Sequence, residues 1–218
     1  MFLEEGIIKF RQEFRDKLFL ESKMLGGLNF WRDVLYKEGL IGRDSKRYNG
    51  FGFGNVSQRL EPYQLPVNKR RFVITGSQTG HLPVLTARDY TVVYEYYPEK
   101  NLVMVGGLIR ASSESMTHGA IYDLDDSIRF VFHLHSPHIW KNSEYLGIPT
   151  ARENAECGTP EMAEEVFRLY RETNLRKIHL FSMGGHEDGI FSFGRSSKEA
   201  GHTLLRYLSV AKKLTASQ

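Results

Sequence analysis

Arg129-Phe130-Val131-Phe132-His133-Leu134-His135 is a hydrophobic run that closes on two histidines. Residues 128–134 read as a buried strand. Side chains alternate along a strand, so His133 and His135 project from one face and Leu134 from the other. Two imidazoles on one face are well placed to share a metal; the plain alternative is two polar residues at a strand end.

Two imidazoles rarely suffice, so a third ligand is sought. His138 lies close by, but Ser136-Pro137 predicts that the strand ends before it. His186 lies further along, between Gly184-Gly185 and Gly189, and glycines there let the backbone bring an imidazole close to another strand. His81 and His179 lack a partner pattern and His202 falls on the expected last helix, so all three read as surface or packing residues. A cupin places a Glu a few residues after H-x-H, whereas the next acid here is Glu144. An amidohydrolase barrel needs a longer chain with regular strand–helix alternation.

Around this strand the pattern is mixed. Ile7, Phe10, Phe14 and Leu18 recur at helical spacing, which predicts a first helix. A second helix is expected over residues 30–38, ending at Gly39 or Gly42. Tyr48-Asn49-Gly50-Phe51-Gly52-Phe53-Gly54-Asn55 reads as a loop entering a strand. Strand signals follow at residues 71–75, 91–97 and 102–105. A helical stretch runs from Ser112-Ser113 through Tyr122. Thr159-Pro160 opens another helix, with Thr159 at N-cap and Pro160 at N1. Residues 178–183 and 190–193 read as a hairpin around His186, and residues 196–214 as a last helix. No repeat, linker or low-complexity segment divides the sequence. The expectation is a single domain over residues 1–218, of α/β class, with a central, mostly antiparallel sheet covered by helices.

Composition narrows the function classes. Of 218 residues, 41% are hydrophobic and 25% charged, which excludes wholesale disorder. The longest apolar runs are too short to span a bilayer. The start Met1-Phe2-Leu3-Glu4-Glu5 carries two early acids and no basic residue, which argues against a secretory signal. One cysteine, Cys157, cannot form an internal disulfide and fits a reducing compartment, so a cytoplasmic location is expected. A net charge of +3 is too small to imply nucleic acid, and Lys69-Arg70-Arg71 and Lys46-Arg47 read as a solvated basic edge.

Ser112-Ser113-Glu114, with His118 four residues on, carries two readings. A serine and an acid at a helix start stabilise it by capping alone. Free N–H groups and hydroxyls there also bind phosphate, with Glu114 as an acid/base beside a metal.

Taken together, these residues resemble the class II aldolase/adducin family, the fuculose-phosphate aldolase and ribulose-phosphate 4-epimerase group. Five blocks match in order between about residues 30 and 208: Gly54-Asn55-Val56-Ser57; Ile74-Thr75-Gly76-Ser77-Gln78-Thr79-Gly80; Ser112-Ser113-Glu114 with His118 and Tyr122; His133-Leu134-His135; and His186. The resemblance implies a class II aldolase-like fold and a homotetramer. It implies Zn2+, or Mn2+, Co2+ or Fe2+, on His133, His135 and His186, and Glu114 as acid/base. Gly54, Asn55, Thr79, Gly80, Ser112 and Ser113 match phosphate-binding positions. The implied reaction is retro-aldol cleavage of a phosphorylated ketose by a lyase, with enediolate charge stabilised by the metal. A sugar-phosphate 4-epimerase or dehydratase, and a non-catalytic adducin-like scaffold, are the alternatives.

The match departs in three places. The loop Gly76-Ser77-Gln78-Thr79-Gly80 is longer than the family's I-T-P-[ST]-G, which makes Ser77 a rival phosphate contact. His186 is followed by Glu187-Asp188-Gly189 rather than by Gly, so two acids stand near the metal or face solvent. Ile148-Pro149 is not followed by the tyrosine of fuculose-type aldolases.

Overall fold

The computed structural model describes residues 6–18 and 20–216. The acidic start at residues 1–5 lies outside the described residues. In chain order the strands are β1 (Arg11–Asp16), β2 (Gly42–Arg43), β3 (Gly52–Phe53), β4 (Asn55–Arg59), β5 (Phe72–Thr75), β6 (Tyr90–Tyr97), β7 (Leu102–Gly107), β8 (Phe130–His135), β9 (Thr150–Ala151), β10 (Leu180–Met183) and β11 (Gly189–Gly194). The helices are α1 (Gly26–Lys37), α2 (Ser115–Leu124), α3 (Pro137–Lys141), α4 (Pro160–Glu172), α5 (Leu175–Ile178) and α6 (Ser197–Ala216). Among the described residues, nine strands make one sheet in the order β1-β7-β6-β5-β4-β8-β11-β10-β9, and β2 and β3 form a small separate ribbon.

The sheet is mixed. Its seven inner strands pair antiparallel, as expected, while the two edge strands β1 and β9 join in parallel. Helices cover both faces. Met116, Ala120 and Ile121 of α2 and Met162, Val166 and Leu169 of α4 pack on one face, with Phe72, Val131 and Phe191 of the sheet. Leu28, Trp31 and Leu35 of α1 and Leu204 and Leu208 of α6 pack on the other, with Val73, Phe132 and Leu134. Strand β8 therefore contributes Val131 to the first core and Phe132 and Leu134 to the second. Burial on both faces explains why its sequence is a continuous apolar run rather than a polar alternation.

The predicted first helix is a strand. Residues 11–16 pair in parallel with β7, from Arg11 opposite Leu102 to Asp16 opposite Gly106. Of the four apolar residues at helical spacing, only Phe10 is buried; Ile7 and Phe14 are about half exposed, at 47% and 48%. A helix needs a stripe to bury, and none is buried here. The open edge of β7 instead satisfies the backbone groups of this segment, an outcome local periodicity does not register.

Other expectations hold with small shifts. Helix α1 starts four residues before the expected Phe30 and stops at Gly39, whose φ of 71° is left-handed and whose N–H bonds back to the Tyr36 carbonyl. Thr159 caps α4 by accepting the Met162 N–H, with Pro160 in the first turn. The chain leaves β8 at Ser136 and turns into α3, which carries His138 away to contact Thr215.

Candidate metal centre and phosphate pocket

His133 and His135 sit on β8 with their imidazoles on the α2/α4 face. Their neighbours in the sheet place two further groups beside them. Asn55 of β4 lies directly opposite His133 on one side, and Gly189 of β11 lies opposite His135 on the other. The β10–β11 turn just before Gly189 carries His186. One ligand nitrogen from each of the three histidines falls in a cluster within 4.8 Å, and all three residues are buried. His135 Nε2 and His186 Nε2 are 3.1 Å apart. That is close to the edge of a tetrahedron of nitrogens held by bonds of about 2.0–2.1 Å to zinc, roughly 3.3 Å.

The donor set fits a divalent metal. His133 Nδ1 lies 3.3 Å from the Ile190 carbonyl, which fixes the ring and directs Nε2 away from it. That Nε2 is buried and has no hydrogen-bond partner among the described residues, as expected of a ligand nitrogen. Burial pushes the His133 and His135 imidazoles well below the ordinary histidine range, and His186 beside them adds to the effect. Both rings are therefore neutral at neutral pH, the form that binds metal. Three imidazoles are a donor set that divalent transition metals share.

Glu114 stands at the N-cap of α2 and is 1% exposed. The helix begins at Ser115, later than expected. Ser112 and Ser113 form the turn before it, and Ser112 Oγ accepts the Glu114 N–H. The Glu114 carboxylate accepts from Thr117 Oγ1 at 3.4 Å and, through its other oxygen, from the Cys157 thiol. Gly158 makes this approach possible. Its φ is 71°, and a Cβ there would lie 2.3 Å from the Ser113 carbonyl oxygen.

All six residues matched to phosphate-binding positions line one pocket. Gly54, Asn55, Thr79, Gly80, Ser112 and Ser113 surround it, joined by Ser77 of the long loop. Both readings of that loop therefore point to residues lining the same cavity, and the Thr79 hydroxyl donates to the Gly76 carbonyl at 2.8 Å. Gly54 has a φ of 77°, and a Cβ on it would meet Ile41 at 2.8 Å. The remaining motif residues tie the site to its scaffold. Ser57 Oγ is 2.7 Å from both His118 Nδ1 and Tyr122 Oη, joining β4 to α2.

Sequence reasoning missed Arg47, Tyr48 and Phe53. The Tyr48 ring stands edge-on to His135 with centroids 4.5 Å apart, and Phe53 lies at 5.2 Å. The glycine-rich stretch after Tyr48 signalled a loop, but no spacing linked it to a histidine nearly ninety residues downstream. Of the two acids after His186, Glu187 faces solvent, and Asp188 is buried and bonded to Arg47 and Tyr48.

The sheet order, its two helical layers and the histidine-bearing turn define an α/β protein of class II aldolase-like fold. The chain belongs to the family of class II aldolase and adducin N-terminal domains, which it matches over residues 43–213. Solved structures share the fold. L-fuculose-1-phosphate aldolase from Thermus thermophilus is 20% identical with a TM-score of 0.64, over 90% of this chain and 95% of that one. A sugar-phosphate aldolase from Thermotoga maritima is 13% identical with a TM-score of 0.62, over 87% and 92%. The N-terminal class II aldolase domain of a conserved protein from Thermoplasma acidophilum is 14% identical with a TM-score of 0.60, over 92% and 98%. No functionally curated protein matches the chain at the sequence level.

Proposed function

We propose that the chain is a metal-dependent lyase that cleaves a phosphorylated ketose by retro-aldol chemistry. One observation carries this reading: Asn55 of the phosphate-type pocket is the cross-strand neighbour of His133. A phosphate held by Asn55, Thr79, Gly80, Ser112 and Ser113 leaves the carbonyl end of its ketose beside the three histidines. Fixing the remote phosphate orients the reacting carbons and reduces the entropy lost in the reaction.

A divalent ion held by His133, His135 and His186 supplies Lewis-acid stabilisation of developing negative charge. Cleavage breaks the bond between the carbon next to the carbonyl and the hydroxyl-bearing carbon. The hydroxyl gives its proton to Glu114, and its carbon leaves as an aldehyde. The electron pair stays on the ketose fragment as an enediolate, and Glu114 returns a proton to its carbon. Burial of Glu114 and of the three imidazoles keeps water from competing.

The same groups serve a 4-epimerase or a dehydratase of a sugar phosphate, and the missing tyrosine after Pro149 favours keeping that second reading. A panel of phosphorylated ketoses, scored for carbonyl fragments, epimers and lost water, separates the three. Carbonyl fragments are the expected product; epimers or dehydration products alone would replace the lyase assignment. A homotetramer and a cytoplasmic location go with this reading and rest on the family resemblance and on cysteine usage. Among the described residues, no helix is long and apolar enough to cross a membrane.

A further inference from the structure

Asp188 is the end point of an arrangement that the reaction scheme above leaves unused. Its Oδ2 accepts from Arg47 Nη2 at 2.6 Å and from Tyr48 Oη at 2.6 Å, and Arg47 Nη2 also contacts Tyr48 Oη. The Arg47 guanidinium lies over the Tyr48 ring at 4.7 Å and over Phe53 at 5.8 Å. Tyr48 and Asp188 are buried, and Arg47 is about one-third exposed. The backbone on both sides is held in the left-handed region: φ is 51° at Tyr48, 54° at Asn49 and 65° at Asp188. Non-glycine residues there cost energy, most clearly for a bulky tyrosine, and persist only where surrounding contacts fix them.

One end of this arrangement packs on a proposed ligand, and the other is joined to the backbone that carries the ligands. The Tyr48 ring packs edge-on against His135. The Asp188 carbonyl accepts the N–H of Ser136, the residue after His135, at 2.8 Å. Asp188 also lies in the turn of His186, whose carbonyl accepts the Gly189 N–H at 3.0 Å. Movement of Asp188 would therefore shift His186 relative to His135.

We infer that Arg47, Tyr48 and Asp188 form a clamp that positions His135 and His186 for metal binding. These are positioning residues, acting through the two ligands. The inference rests on the metal-site reading but not on which reaction the site performs, because its test needs no substrate.

The test is the affinity of the full chain for Zn2+, measured by competition with a chromophoric chelator, together with the visible spectrum of the Co2+ form and the Tm of metal-free protein. Tyr48→Phe keeps the ring against His135 and removes only the donor to Asp188. Its affinity should fall by several-fold to at most about 100-fold, the upper range being that of a group bonded directly to a ligand, with a changed Co2+ spectrum. Arg47→Lys, which keeps the charge on Asp188, should recover most of the affinity lost in Arg47→Ala. Affinity and spectrum unchanged in Tyr48→Phe, with only a lower Tm, would overturn the clamp and leave the metal site standing. A parent protein that binds no Zn2+ or Co2+ would overturn the clamp and the metal reading together. Asp188→Asn is a supporting variant; if it does not fold, Tyr48→Phe decides.

Discussion

At the residue scale, the two kinds of buried titratable group near the site carry separate expectations. Glu114 keeps its volume and one carbonyl acceptor in Glu114→Gln but can no longer carry a proton. Turnover should fall about 10²- to 10⁴-fold, the usual worth of a positioned acid/base, with bound metal unchanged. Steady-state kinetics alongside metal analysis check this, and parent-level turnover would remove Glu114 from the chemistry. His118 bears on stability instead. Burial pushes its pKa down to about 3, below the unfolded value of about 6.5. Between these values the unfolded chain binds a proton that the folded chain does not. Stability should therefore fall as pH drops through about 6.5, with a slope that approaches about 1.4 kcal/mol per pH unit near pH 5 for this one residue. Urea unfolding of metal-loaded protein between pH 6.5 and 5 measures the slope, and His118→Gln should remove about 1.5–2 kcal/mol of the total change over that range. A slope unchanged in the variant would contradict the assignment.

At the scale of elements, the site is built where β4, β8 and the β10–β11 turn meet, and the pocket beside it depends on close backbone approach. A Cβ on Gly80 would lie 2.7 Å from the Phe53 carbonyl oxygen and 2.9 Å from that of Gly42. Both are backbone atoms, so the loop of residues 76–80 must shift away from the β2–β3 ribbon. Gly80→Ala should destabilise the fold by about 1–3 kcal/mol in urea unfolding and weaken phosphorylated-substrate binding. A KM equal to that of the parent would show that this loop does not hold the phosphate. The elements also show what sequence can and cannot carry. Strand β8 was legible because its alternation is local and puts His133 and His135 on one face whatever surrounds it. His186 was legible as a candidate because glycines flank it. The edge strand β1 was not, because what fixes it is the open side of β7 about ninety residues later. Arg47 and Tyr48 were missed for the same reason: their partner Asp188 is joined to them only through the folded chain.

For the whole molecule, two helical layers bury the sheet on both faces and leave the histidine-bearing ends of its central strands as the place where polar side chains gather. The blocks that resemble the class II aldolase family are spread from residue 54 to residue 186, yet the sheet order brings them to one region. A metal that binds only this assembled site stabilises the folded state by about 4 kcal/mol at a thousandfold excess over its Kd. Removing it should lower the Tm, and metal added back should restore it in the parent but not in the His133→Ala/His135→Ala variant. The most direct measurement of the central claim is cleavage of phosphorylated ketoses by protein stripped with a chelator and then resupplied with Zn2+, Co2+, Mn2+ or Fe2+. The account predicts that stripping abolishes carbonyl-fragment formation and that added metal restores it. Full cleavage by the stripped protein, with no metal added, would contradict it.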